Sequence, residues 1–350
     1  MSYLIYGAYG YTGTLIAHRA VEAGHEPILA GRDSERLDRI ASTLDLPAES
    51  VRLDAPGRLQ GVLNEVEAVV HCAGPFVHTV GPMVAACLET GTHYLDITGE
   101  IPVFEALADR GAQAEEKGVM LLPGIGFDVV PTDCLARSLS ESMPEAETLE
   151  LAVYGSGGLS KGTLKSVVEH ADTGGRVRRE GRIVEVPLGW TTRTVDFGDR
   201  PRTVVSIPWG DLVTAHHSTG IPNITVYVAL PPLGRLAFRL GEYLKDVLGW
   251  RPVKTLLQRG IERWMDDPSA ETRRKGRTRV WASVREASGE RRTARLTGPE
   301  AYTFTARSAV AAAEHVTNGT APSGFQTPST AFGASFVREI EGVEVERTEE

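Results

Sequence analysis

The stretch GAYGYTG, Gly7 to Gly13, sets three glycines three residues apart between the apolar run SYLIY and a pattern of helical period. Gly7 falls where a strand ends and a tight turn must begin. Gly10 falls where a side chain would block the approach of a pyrophosphate, and Gly13 lies one turn into the helix, where helix and strand pack. The unpaired N–H groups and positive dipole end of such a helix favour an anion. The spacing is GxxGxxG, a variation on the GxGxxG fingerprint, and glycine-rich turns also serve plain helix–strand packing. The residues after the turn decide between the two.

Strand and helix patterns alternate regularly there. The runs SYLIYG, EPILAG, SVRLD, AVVHCAG, THYLDI and VMLLPG read as six strands, with helical stretches near 11–24, 33–45, 56–64, 79–91 and 100–117. Several runs are apolar throughout, as expected of a parallel sheet covered on both faces. Gly24, Gly91 and Gly118 stand where left-handed helix C-caps are expected. Residues 1–128 are therefore expected to form a doubly wound Rossmann domain of α/β class, with dinucleotide binding at the glycine turn.

The end of the second strand, AGRDSER, bears on which dinucleotide. Arg32 and Arg36 suit the 2′-phosphate of NADP, whereas an acid there would take the ribose hydroxyl of NAD. Asp33 fits either as that acid or as the cap of the next helix. The cap reading is preferred, so NADP is expected, with NAD open. Tyr9 joins the candidates on the glycine turn. Asp54, at the end of the third strand, is a candidate acceptor for the adenine amine or a turn residue before Pro56.

After a helix starting near Pro131, strand-like alternation returns without regular helices: TLELAVYG, GRIVEVPLG, RTVVSIPWG, NITVYVAL, TRVWASVREA and ERRTARLTG. VREASGERR reads as a hairpin turn. Residues 129–300 are expected to form a mostly antiparallel α+β domain for substrate or dimerisation, interrupted by one helical insert at 233–266. Residues 301–350 read as strand, helix, Gly319 as terminator and an apolar-rich tail. The helix near 306–318 is expected to pack back on the first domain.

Composition bounds the classes. The 350 residues, 41% hydrophobic and 24% charged, fit about two globular domains. A net charge of −9 argues against nucleic acid or an anionic membrane as main partner of the chain as a whole. Three cysteines without metal spacing point to free thiols in a reducing compartment. With no leader pattern and no long apolar run, a soluble cytoplasmic protein is expected.

GAYGYTG, AGRDSERL, HCAGPF, ACLETGTHYLDITGE and GIGFDVVPTD together resemble the saccharopine dehydrogenase-like oxidoreductases, a group that includes trans-acting enoyl reductases. The likeness continues through VEVPLGW, SIPWGDLVTAHHSTGIPNITVY and GFQTPSTAFG, so it runs along nearly the whole chain. It implies a nicotinamide-dependent oxidoreductase without implying saccharopine as substrate. It places Gly7, Gly10, Tyr11, Thr12 and Gly13 around the pyrophosphate and Arg32 at the 2′-phosphate. Gly74, Pro75 and Phe76 would line the nicotinamide side, on the binding edge of the sheet.

Residues for the chemistry are less legible. Glu100 and Asp96, in YLDITGE, are candidate acids at a strand's carboxyl end, or else a helix N-terminal charge and a turn former. Asp128 and Asp133, in GFDVVPTD, fall at the domain junction, with Asp133 read as a cap. Lys161, on the glycine-rich SGGLSKG loop, could bind an anion or donate a proton, or be simply solvated. His216 and His217, in AHHSTGIPN, are expected near a strand end and a turn. No metal-ligand spacing appears.

Two readings result: an NADP-dependent reductase of a C=C, C=O or C=N bond, and a non-catalytic NADP(H)-binding or lipid-surface protein. The insert carries two apolar stripes at helical spacing, Leu233 to Val247 and Val253 to Met265, each beside basic residues. They would complete a core or a homodimer interface, or else form a lid or lipid-facing element that implies an acyl or isoprenoid substrate.

Overall fold

The first half folds as strand–helix repeats: β1 (Tyr3–Tyr6), α1 (Tyr11–Glu22), β2 (Ile28–Gly31), α2 (Ser34–Leu44), β3 (Ala48–Ser50), α3 (Pro56–Leu63), β4 (Ala68–His71), α4 (Val80–Thr90), β5 (His93–Asp96), α5 (Ile101–Ala108), α6 (Gly111–Glu116) and β6 (Met120–Leu122). Next come α7 (Val130–Ser142), β7 (Thr148–Gly155), α8 (Lys161–Glu169), β8 (Gly175–Arg179), β9 (Arg182–Val186), β10 (Thr192–Asp196), β11 (Pro201–Ser206), α9 (Asp211–Thr219) and β12 (Asn223–Ala229). The chain ends with α10 (Pro232–Leu248), α11 (Arg251–Trp264), α12 (Ala270–Lys275), β13 (Arg277–Arg285), β14 (Arg291–Pro299), α13 (Ala301–Thr317), β15 (Gly324–Phe325), α14 (Pro328–Phe332) and β16 (Glu344–Glu349). This computed structural model describes residues 2–349, except for the side chains of Leu233, Leu236, Ala237, Arg239, Leu240, Thr348 and Glu349.

Two units divide the chain. The first ends at Val130 and takes in Tyr302–Glu341; the second holds Pro131–Ala301 and the residues after Glu341. The first is built on a parallel sheet in the order β15-β6-β5-β4-β1-β2-β3. β1 and β4 are buried at every position, which is why YLIY and AVVH carry no alternation. The order reverses between β1 and β4, so a binding crevice is expected outside their carboxyl ends.

The third strand lies earlier than SVRLD. Val51 still donates to Gly31 O at 2.9 Å, but Arg52 and Asp54 pair with each other at the surface and end the pairing. The stretch 100–117 is two helices. Gly111 opens the second, where an added Cβ would stand 3.3 Å from Phe325 as β15 passes. The segment expected as 301–350 divides between the units, and AYTFT is helix rather than strand. Thr305 Oγ1 accepts from Phe127 N at 3.0 Å and Ser308 Oγ donates to Ile125 O at 2.7 Å. These tertiary bonds override the strand preference of Tyr, Thr and Phe.

The second unit holds a nine-stranded sheet with the path β10-β11-β12-β7-β13-β14-β16; β8 pairs with β12 and β9. Among the described residues, only β7–β12 is a parallel pair in this sheet. β13 and β14 form the expected hairpin, with Arg285 opposite Arg291. Phe197, Tyr227 and Trp281 centre its core. Three helices, α8, α9 and α12, stand where none was expected. AHHSTG lies in α9, whose residues 211–215 are buried and which closes on Gly220 at φ 72°.

The glycine turn shows how tightly the first unit is bound. Gly7 has φ 83°, Gly10 N–H donates to Gly7 O at 2.9 Å, and a Cβ on Gly13 would stand 2.3 Å from that oxygen. No L side chain fits there without backbone movement. Gly13→Ala should therefore lose about 3 kcal/mol of stability. Gly61→Ala, in α3 with nothing within 4 Å of its added Cβ, should be neutral or gain up to about 1 kcal/mol. Denaturant titration of both variants checks the contrast.

Candidate functional site

The turn after β1 meets the turn after β4. A Cβ on Gly7 would lie 3.0 Å from Ala73 N, so these two strand ends touch backbone to backbone. α1 starts on Gly10 with no side-chain cap and no acid in its first turn. A helix start without a side-chain cap or an acid suits an external anionic acceptor. Tyr11 stacks edge-on with Tyr302 at 5.0 Å, a contact supplied by α13, and Thr12 stands half-buried beside it.

At the end of β2, the Tyr9 ring lies over Gly31, where a Cβ would be 2.4 Å from Cε1. The Arg36 guanidinium lies 4.7 Å from the centroid of the same ring and donates to Tyr9 O at 3.2 Å. A hollow of about 280 Å³ opens beside them, lined also by Thr14 and Arg39. Arg32 is exposed and makes no ion pair among the described residues. Asp33 caps α2, accepting from Arg36 N at 3.1 Å. Asp54 is not at the end of the third strand: it lies in the turn beyond, held by Arg52 at 2.9 and 2.7 Å, and that bond lowers its pKa.

After β4, Gly74, Pro75 and Phe76 lead into a 3-10 turn at Phe76–His78, and the Gly74–Pro75 bond is cis. Glu100 is buried, and its two oxygens accept from Phe76 N at 3.0 Å and Val77 N at 2.9 Å. Its carboxylate fixes the turn. Asp96 is likewise built in, accepting from Tyr94 Oη at 2.6 Å, Thr98 N at 2.9 Å and Gly124 N at 3.0 Å. Burial nevertheless pushes its pKa up to about 6. Asp128 stands across from Gly99, where an added Cβ would lie 2.8 Å from Oδ2, and burial raises its pKa to about 6 as well.

The edge also holds His71, which the sequence reading passed over. It is fully buried, bonded through Nε2 to Thr79 Oγ1 at 2.9 Å and edge-on to Phe76 at 5.6 Å. Burial pushes its pKa down to about 3, so it stays neutral. The signal was its place at the last position of an apolar strand.

Lys161 and His217 belong to the second unit. Lys161 is the first residue of α8 rather than part of the glycine loop, and its Nζ donates to Glu262 O at 3.3 Å. His217 is exposed on the last turn of α9, and His216 Nδ1 sits 3.0 Å from Ile221 O. Asp133 lies buried inside the first turn of α7, not at its cap.

A doubly wound sheet with a bare glycine turn on its first strand defines a dinucleotide-binding domain of Rossmann type. Residues 3–122 match the family model of the saccharopine dehydrogenase NADP binding domain, so this part of the chain is an NADP-binding domain. It is 35% identical over 156 residues to a trans-acting enoyl reductase of Mycobacterium leprae, which covers 42% of this chain and 37% of the relative. It is 32% identical over 185 residues to a putative trans-acting enoyl reductase of Mycobacterium tuberculosis, covering 49% and 44%. The chain thus spans less than half the length of these relatives. Saccharopine dehydrogenase (L-Glu forming) of Saccharomyces cerevisiae shares the fold over 99% of both chains, with a TM-score of 0.65 at 13% identity.

The raised pKa of Asp128 sets a sign for pH. Below about pH 4 both folded and unfolded states keep the proton. Between about 4 and 6 the unfolded state releases it first, so stability falls as pH rises, and above 6 the loss is complete. For this half-buried group the difference is about 1–2 kcal/mol. Asp128→Asn should match the parent at pH 4 and exceed it by that amount at pH 7, as measured by denaturant titration at both values.

Proposed function

We propose that the chain is an NADP-dependent reductase of a small molecule with a C=C, C=O or C=N bond. The enoyl reductase names of its relatives favour C=C, and a bulky acyl or isoprenoid chain is the preferred substrate class. The observation that carries this reading is the shared carboxyl edge of the parallel sheet. There the bare turn Gly7–Gly13, the Arg32–Arg36 pair and the Gly74–Phe76 turn all emerge.

NADP fits these residues. The uncapped start of α1 would hold the pyrophosphate, Arg32 the 2′-phosphate, and Arg36 with Tyr9 a flat surface beside it. When bound, the cofactor supplies hydride. The Gly74–Pro75–Phe76 turn, fixed by Glu100, would wall the nicotinamide side and keep water out. Asp128 is the group best suited to hold or donate a proton near neutral pH, because burial keeps its carboxyl protonated to about pH 6. Glu100 acts by positioning. Lys161 and His217 remain candidate donors from the second unit.

A second reading is NADP(H) binding without turnover. One observation favours it: Glu100 and Lys161 both direct polar atoms at backbone groups. Under either reading the apolar insert is covered by a second copy or by a lipid surface. No described helix is long and apolar enough to cross a membrane, and a cytoplasmic setting is part of the proposal.

Titration with NADPH and NADH tests the cofactor half. Arg32→Ala should weaken NADPH binding by about tenfold or more, the worth of one charge-assisted bond, and leave NADH unchanged. Equal losses for both cofactors would remove Arg32 from the phosphate. NADPH oxidation across enoyl, carbonyl and imine substrates tests the reaction; binding with no turnover on any would favour the second reading.

A further inference from the structure

The insert is two helices, and the second faces the wrong way for a core element. Lys254, Gln258 and Glu262 recur every four residues on α11, and all three point at α8 and the turn after it. Lys254 Nζ bonds Asp172 Oδ1 at 3.0 Å, Gln258 Nε2 bonds Glu169 Oε2 at 3.1 Å, and Glu262 pairs with Lys165. The polar stripe is turned toward the protein. On the opposite side Leu256 is 69% and Trp264 77% exposed, and Trp250, between the helices, is 65% exposed. On α10, Glu242 accepts from Leu188 N at 2.8 Å while Tyr243, Leu244 and Val247 are exposed. Leu233, Leu236, Leu240 and Arg239, part of the stripe read from sequence, lie outside the described side chains.

An apolar face of this extent on two adjacent helices marks an interaction surface. Its charge says what covers it. Residues 232–264 hold seven basic residues and three acidic ones, in a chain whose net charge is −9. Arg259 and Arg263 follow Leu256 at i+3 and i+7, so they border the apolar strip, and neither makes an ion pair among the described residues. A two-fold pairing of identical chains would set this net-positive patch against another of the same sign. A surface carrying negative charge over an apolar interior meets no such conflict. Exposed Trp and Tyr at the polar–apolar boundary suit the same setting.

We infer that the outward face of α10 and α11 docks on an anionic lipid surface, with Trp264 and Leu256 entering the apolar layer and Arg259 and Arg263 at the head groups. The proposal goes beyond the reductase reading and does not depend on it.

Vesicle flotation of the full chain tests it, with phosphatidylcholine alone compared with phosphatidylcholine containing phosphatidylglycerol. Binding is expected to the mixed vesicles, to weaken at high salt, and to fall at least tenfold in Trp264→Asp. Arg259→Glu and Arg263→Glu should each weaken it about fivefold or more. Unchanged melting temperature and NADPH affinity in these variants would separate lost docking from misfolding or a lost cofactor site, and the two arginine variants stand in should Trp264→Asp fail to fold. No flotation with either vesicle, or equal flotation with both, would overturn the proposal. So would a concentration-dependent dimer in ultracentrifugation that Trp264→Asp abolishes, which would assign the face to a second copy.

Discussion

The approach of Gly13 to the carbonyl of Gly7 sets the geometry of the first unit. An oxygen 2.3 Å from where a Cβ would stand leaves no place for any other residue. It lets α1 lie directly on the end of β1, and Gly10 closes the turn between them by donating to the same oxygen at 2.9 Å. Gly7 also meets the backbone after β4, so one turn fixes both the helix and the neighbouring strand. In the proposed cofactor site, packing and binding are therefore one demand rather than two competing ones. Bare backbone is what brings α1 against its strand, and it is what leaves the helix N-terminus open to an anion.

Carboxylates build the other side of that edge. Glu100 takes two backbone N–H groups of the turn after β4, and Asp96 ties the end of β5 to Gly124 beyond β6. Placing charge in so buried an edge costs free energy unless donors meet it, and here backbone donors do. The acids most visible in YLDITGE thus shape the wall on which a substrate would rest. In the proposed reaction, acid–base work at this edge falls to Asp128, whose pKa is raised by burial.

The legible parts of the chain are those whose roles are local. YLIY, ILAG, AVVH and HYLD read as strands because a parallel sheet buries both faces and leaves no other pattern. The turn Gly7–Gly13 read well as a tight strand-to-helix turn because glycine spacing carries its meaning in its own backbone, whereas the cofactor roles given to it and to the strand-end arginines belong to the proposal. AYTFT misled because Thr305 and Ser308 answer to residues far upstream. AHHSTG read as a strand end because its burial arises in the fold of the second unit. β15, two residues long, leaves no period to detect. The catalytic candidates were the least legible: Glu100 is defined by Phe76 and Lys161 by Glu262, pairings far apart in the chain that spacing does not encode.

The insert shows a further limit of periodicity. The recurrence of Val253, Leu256, Leu257, Ile261 and Trp264 establishes that α11 has two faces, but not which of them the protein holds. Hydrogen bonds from Lys254, Gln258 and Glu262 to the region of α8 decide it, and they decide against the usual outcome. Burying a large apolar side chain is worth about 1.5–3 kcal/mol, more than the net value of most single hydrogen bonds. In the docking proposed for this face, the exposed apolar area of Leu256 and Trp264 is kept for association, and Arg259 and Arg263 beside it would give that association its sign.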